Sequence, residues 1–170
     1  MKQKRLGRSW RMGKLCIFTG HRALPGDLLP LRQALRRKIL QLAADGFTRF
    51  ASGGAAGFDL LAAELILELR RQVPELELHM ILPCKGQDRT YSVGDRVRYR
   101  RVLESADSVR YTAEQYYDGC MLTRDRVMAA AADACICYLT HSRGGTAYTV
   151  RHVLMRDVPL YNLAEELNAE

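Results

Sequence analysis

The sequence predicts a single α/β domain, a mostly parallel sheet with helices on both faces. Short apolar runs alternate with amphipathic helical patterns from end to end, and glycine-rich turns follow two of the strand-like runs. The length of 170 residues, 48% of them hydrophobic, suffices for one full core and not for two comfortable ones. Strands separated by helices run parallel because parallel neighbours need a crossover, and the crossover covers the sheet.

Each element has its own signal. Lys14 to Gly20 (KLCIFTG) reads as a buried strand, and Leu31, Leu35, Ile39 and Leu42 then recur at helical spacing until Asp45-Gly46 stops the helix. Phe47 to Ser52 is the second strand; a helix from about Phe58 to Gln72 is ended by Pro74, and Leu76 to Pro83 is the third strand. The arginine-rich stretch from Gln87 to Arg101 holds a helix reaching Ala106, followed by a short strand, Asp107 to Tyr111. A helix from about Tyr117 to Ala131 leads into the most strand-like run, Asp133 to Thr140. A second glycine loop, Ser142 to Thr146 (SRGGT), opens a last helix, and Val158 to Leu163 closes the sheet.

The net charge of +7 is unevenly spread: six of the 26 basic residues precede Leu15, which leaves 20 against 19 acidic ones in the body. Residues 1–13 therefore read as a basic tail and 14–170 as the domain. Such an arm is either solvated or a sequence-independent contact to phosphates. The near-neutral body argues against nucleic acid as a partner. No apolar run approaches the roughly 20 residues of a membrane span, so no membrane partner and a cytoplasmic location are expected. The five cysteines are scattered, mostly within apolar runs and without metal-site spacing; they read as reduced core residues, and no metal is expected.

The chemistry gathers in the glycine loops. In parallel sheets, ligands bind beyond the carboxyl ends of the strands, where helix amino ends present free N–H groups and a partial positive charge suited to phosphate. Ser52, Gly53, Gly54 and Gly57 (SGGAAGFD) and Gly144, Gly145 and Thr146 both fall there. Either loop alone could serve only as a tight turn; two on one edge point to a nucleotide or nucleotide-derived ligand. Neither matches the dinucleotide GxGxxG or the lysine-bearing phosphate loop of ATPases. Gly20, His21 and Arg22 leave the first strand toward the same edge, with His21 a candidate acid or base and Arg22 a candidate phosphate ligand. Asp59 suits the first helical turn whatever its function, and could also accept ribose hydroxyls.

Together the motifs CIFTGHR, SGGAAGFD, LPC with Gln87, CMLTRDRVM, SADSV and GGTAYTV resemble the YpsA-like (DUF1273) proteins of the SLOG superfamily, over Leu15 to Leu163. The resemblance implies a Rossmann-like fold and binding of a nucleotide-type ligand such as NAD or ADP-ribose. It adds Pro83 and Arg124 to the ligand-binding set and leaves a homodimer open. LOG-type phosphoribohydrolases of the same superfamily cleave nucleoside monophosphates; their MxxRKxxM helix is similar to Met121–Met128, with Arg124 on the functional arginine. Where those enzymes carry a catalytic glutamate this chain has Thr149, and a hydroxyl cannot supply the charge an oxocarbenium-like transition state needs. Asp125 stands where asparagine is usual in YpsA-like proteins. A nucleotide sensor is thus the first reading, a nucleotide N-glycosidase the second, and a nucleic-acid binder akin to DprA the third.

Overall fold

Six strands form one sheet in the order β4-β3-β2-β1-β5-β6, and every neighbouring pair is parallel. They are β1 (Lys14–Gly20), β2 (Phe47–Ser52), β3 (Glu77–Leu82), β4 (Ser108–Tyr111), β5 (Ala134–Tyr138) and β6 (Leu160–Asn162). The helices are α1 (Leu29–Ala44), α2 (Phe58–Leu69), α3 (Val93–Ser105), α4 (Cys120–Ala131), α5 (Gly144–Met155) and α6 (Leu163–Asn168). The structure, a computed structural model, describes residues 13–169; the expected tail lies outside the described residues except for Gly13.

The chain steps outward from β1 to β4 and then returns across the sheet to place β5 beside β1. The strand order therefore reverses between β1 and β5, which opens a crevice where their following loops part. Period-2 alternation in the strands sorts the core into two layers. Phe18, Phe50 and Leu78 face the layer built by α1, α2, α3 and α6, whereas Ile17, Ala51 and Cys135 face α4 and α5 through Met128, Val150 and Val153.

The boundaries differ from expectation where local hydrogen bonding decides them. α2 stops at Leu69, and Val73 N–H turns back onto the Leu69 carbonyl before Pro74. The arginine-rich stretch divides into a 3₁₀ turn, Gln87–Thr90, and α3, whose start is capped by Ser92 Oγ accepting from Asp95 N–H at 3.1 Å. α4 begins at Cys120 rather than near Tyr117, after Gly119 at φ 91°. α6 was not anticipated from the sequence; Asn162 Oδ1 caps it by accepting from Ala164 N–H at 3.1 Å. All five cysteines are buried free thiols, and burial pushes Cys137 up to about 12. Among the described residues no helix is long and apolar enough to cross a membrane.

Candidate functional site

The loops after β1 and β5 and the amino end of α4 enclose a cleft of about 380 Å³ at the point of strand reversal. Eight of the residues singled out in the sequence line it: Gly20, His21, Arg22, Asp59, Arg124, Gly144, Gly145 and Thr146. Met121, Asp125, His141 and Arg143 are among the other residues of the wall. Arg143 directly precedes the second glycine pair and His141 stands two residues before Arg143, and their place beside that loop is the signal the sequence carries for both.

The other five stand outside this cleft, and the bonds of the first glycine loop explain why. Ser52 Oγ donates to the Asp59 carbonyl at 2.8 Å and accepts from Gly54 N–H at 3.2 Å. The Gly53 carbonyl receives Gln87 Nε2 at 3.1 Å and Arg124 Nη1 at 2.6 Å, and the Gly54 carbonyl receives the Tyr91 hydroxyl at 2.8 Å. Gly57 packs against the Arg22 backbone, and the Pro83 carbonyl accepts from Thr112 Oγ1 at 3.4 Å. SGGAAGFD is thus a joint that binds β2 to its neighbours. At Gly53 the requirement is one of space, since a Cβ would stand 2.6 Å from Arg124 Nη1.

Asp59 reinforces the joint from within. Its carboxyl group accepts from Gly20 N–H at 3.1 Å, so the amino end of α2 is already occupied by an acid belonging to the chain. Burial raises its pKa to about 7, opposed by the Arg124 charge and by backbone hydrogen bonds from Gly20 and Ala55, with Asp125 adding to the rise. The bond from Gly20 N–H uses Oδ1, and Asp59 also lines the cleft. Arg124, 5% exposed, donates Nε to Asp125 Oδ1 at 2.8 Å, and burial outweighs this partner in pushing the Asp125 carboxyl up. Thr149 Oγ1 donates to the Gly145 carbonyl at 2.9 Å, and Thr149 is among the groups that oppose the rise of the Asp125 pKa. The carboxylate absent from position 149 of α5 is therefore supplied beside it by α4.

The second glycine loop is built differently. The Arg143 cap of α5 makes no side-chain capping bond, and the first turn of the helix holds no acid. Gly144 takes φ 89°, which turns the chain into the helix. Two imidazoles flank this end: His21 and His141 stack with centroids 4.1 Å apart and planes 10° from parallel. His21 Nε2 accepts from Thr140 N–H at 2.9 Å, a bond only an unprotonated nitrogen makes, and burial together with the charge of His141 lowers its pKa.

A second, larger cleft of about 770 Å³ opens at the same edge, lined by Lys85, Arg89, Glu114, Gln115 and Tyr116 among others. Met121 lines both clefts, and Arg22 Nη2 touches its sulfur at 3.8 Å. Three arginines of the α3 run are neutralised: Arg96 and Arg100 by Asp88 at 4.0 and 3.5 Å, and Arg98 by Glu64 and Asp95. Arg22, Lys85, Arg89 and Arg143 have no carboxylate partner among the described residues.

A family model described as the YspA SLOG family matches residues 9–158. A UPF0398 protein of Halalkalibacterium halodurans is 29% identical over 89 residues, which are 52% of this chain and 47% of that protein. One of Bacillus cereus strain B4264 is 30% identical over 88 residues, covering 52% of this chain and 48% of the relative. The chain thus matches about half the length of these relatives. Among solved structures, DNA processing protein A from Helicobacter pylori, described for its single-stranded DNA binding mode, superposes with a TM-score of 0.63 at 21% identity, over 86% of this chain and 63% of that one. DNA processing protein A from Streptococcus pneumoniae gives 0.60 at 16% identity, over 88% and 50% of the two chains.

These likenesses correct one expectation. Nucleic acid was set aside because the body of the chain is nearly neutral, yet a protein of the same fold binds single-stranded DNA. A balanced total says nothing about placement: Asp88, Glu64 and Asp95 neutralise the α3 arginines, while Arg22, Lys85, Arg89 and Arg143 around the two clefts have no carboxylate partner among the described residues.

Proposed function

The chain belongs to the YpsA SLOG family, and from that premise we propose that it binds a phosphate-bearing nucleotide at the β1/β5 crevice, with the phosphate on the amino end of α5. One observation carries the reading. The first turn of α5 has no side-chain cap and no acid of its own, the one carboxyl group close to it, that of Asp125, is paired with Arg124, and the turn opens into a cleft that Arg22 and Arg143 also line. Unsatisfied N–H groups, the helix dipole and two unpaired guanidinium groups act on the same volume, an arrangement that favours an anion. The stacked His21 and His141 offer a flat wall for a base or ribose. An NAD or ADP-ribose type ligand fits this chemistry, and so does one nucleotide of a nucleic-acid strand.

The strand reading gains support from the fold shared with a protein whose single-stranded DNA binding mode is described, and from the cations Lys85 and Arg89 beyond Met121. The test is a thermal-shift series on the full chain with AMP, ADP, NAD, ADP-ribose, a short single-stranded oligonucleotide and, as control, adenosine. Ligands of the native state raise the melting temperature. Phosphorylated ligands should stabilise and adenosine should not; absence of any shift at millimolar concentration would remove the reading.

A further inference from the structure

We infer that the cleft beyond Met121 is a second nucleoside site, so that the ligand has two nucleoside units whose phosphate link crosses at Met121. This rests on the reading above and extends it. The two clefts lie on one edge and share Met121, which the Arg22 guanidinium touches. At about 770 Å³ the second is about twice the first and far exceeds what a lone phosphate fills.

Its lining has the mixed character that a nucleoside needs. Tyr116 is 67% exposed; its hydroxyl donates to Asp118 at 3.3 Å, and its ring has no aromatic partner among the described residues. A tethered ring with an open face is a stacking surface. Lys85 and Arg89 bring positive charge without carboxylate partners, and Lys85 Nζ stands 5.9 Å from the Tyr111 ring centroid. Glu114, which repels phosphate, and Gln115 supply an acceptor and a donor pair for the edge of a base. A mononucleotide seated on α5 leaves all of these groups bare. The chemistry recognised is a second nucleoside joined through phosphate, whether in a free pyrophosphate-linked dinucleotide or in a single strand.

The test is calorimetric titration of the full chain with AMP, NAD, 5′-phosphorylated diadenylate and a ten-residue oligoadenylate. At least one two-unit probe should bind about tenfold or more tightly than AMP, the gain expected of one stacked base. Tyr116→Ala should abolish that gain while leaving AMP affinity within about twofold, and Tyr116→Phe should keep it. Preference for NAD would identify a free dinucleotide; preference for diadenylate, with a further gain for the oligoadenylate, would identify a strand. If both two-unit probes bind no more tightly than AMP, or if the gain survives Tyr116→Ala combined with Lys85→Ala, the second site falls while the phosphate site on α5 stands. If the wild-type chain binds none of the probes, both fall.

Discussion

Arg124 Nη1 donates to the carbonyl oxygen of Gly53 across 71 residues of sequence, at 2.6 Å. The bond fastens α4 to the turn after β2, and the same guanidinium holds Asp125 through Nε. An arginine that the motif suggests as a ligand contact is thus also the central strut of a buried network containing Asp59, Asp125 and the first glycine loop.

Removing that strut should unfold the chain more readily. Arg124→Ala leaves Asp125 buried without its countercharge and the Gly53 carbonyl with Gln87 Nε2 in place of two donors, so a loss of about 3 to 5 kcal/mol is expected in a denaturant melt. Arg124→Lys keeps the charge but not both directed bonds, and should fall between alanine and wild type.

Asp59 should give stability an unusual pH slope. Its folded pKa of about 7 lies above its ordinary value of 3.8, so the native state holds the extra proton between these values. Stability contributed by this group is therefore complete below pH 3.8, declines as pH rises toward 7 and is flat above, by at most about 4 kcal/mol. His21 acts in the opposite sense: its lowered pKa means stability is lost as pH falls below its ordinary 6.5. Asp59→Asn retains an oxygen for Gly20 N–H, and the difference between its melts and those of wild type at several pH values isolates the Asp59 slope. Parallel curves would remove the assignment.

The two glycine loops should respond differently to substitution. Gly54 sits at φ 72°, and an added Cβ would stand 3.0 Å from Leu82 and Tyr99, so Gly54→Ala should cost roughly 1 to 3 kcal/mol of stability and leave nucleotide affinity of the folded fraction intact. Gly145 has only Asp125 near its missing Cβ, at 3.4 Å. Gly145→Val should therefore fold and bind weakly, because its side chain stands at the helix end proposed to take the phosphate.

Arg22 and Arg143 are exposed and carry the charge of the proposed phosphate site. Arg22→Ala and Arg143→Ala should each weaken AMP binding by about tenfold or more, with melting temperatures close to wild type. Equal affinity in both variants would place the phosphate elsewhere.

AMP should not release adenine faster than a heat-inactivated control. The Asp125 carboxyl group on α4 is committed to Arg124 Nε, and the Thr149 hydroxyl gives its proton to the Gly145 carbonyl. Turnover that vanishes in Asp125→Asn would assign hydrolysis to this site instead.

The sequence by itself determined the layering. Alternation of period-2 and period-3.6 apolar patterns is local, so five of the six helices and all six strands could be read from it, as could the position of both glycine loops at strand carboxyl ends. The resemblance of the motifs pointed to the right family for the same reason, since each motif is a contiguous stretch. α6 escaped because its six residues hold too little pattern to show.

Tertiary structure decided what each loop packs against. Whether SGGAAGFD faces a ligand or itself depends on Arg124, Gln87 and Tyr91, which reach it from 34 to 71 residues away. The return of the chain from β4 to β5 beside β1 brings His21 onto His141 and Arg22 onto Met121, and so joins two clefts at one side chain. Such pairings arise from the order in which strands add to the sheet, which no local periodicity encodes. Charge follows the same rule: the total is read from the sequence, and only the packing of Asp88 and Glu64 against α3 shows that its arginines are neutralised while Arg22, Lys85, Arg89 and Arg143 at the clefts are not.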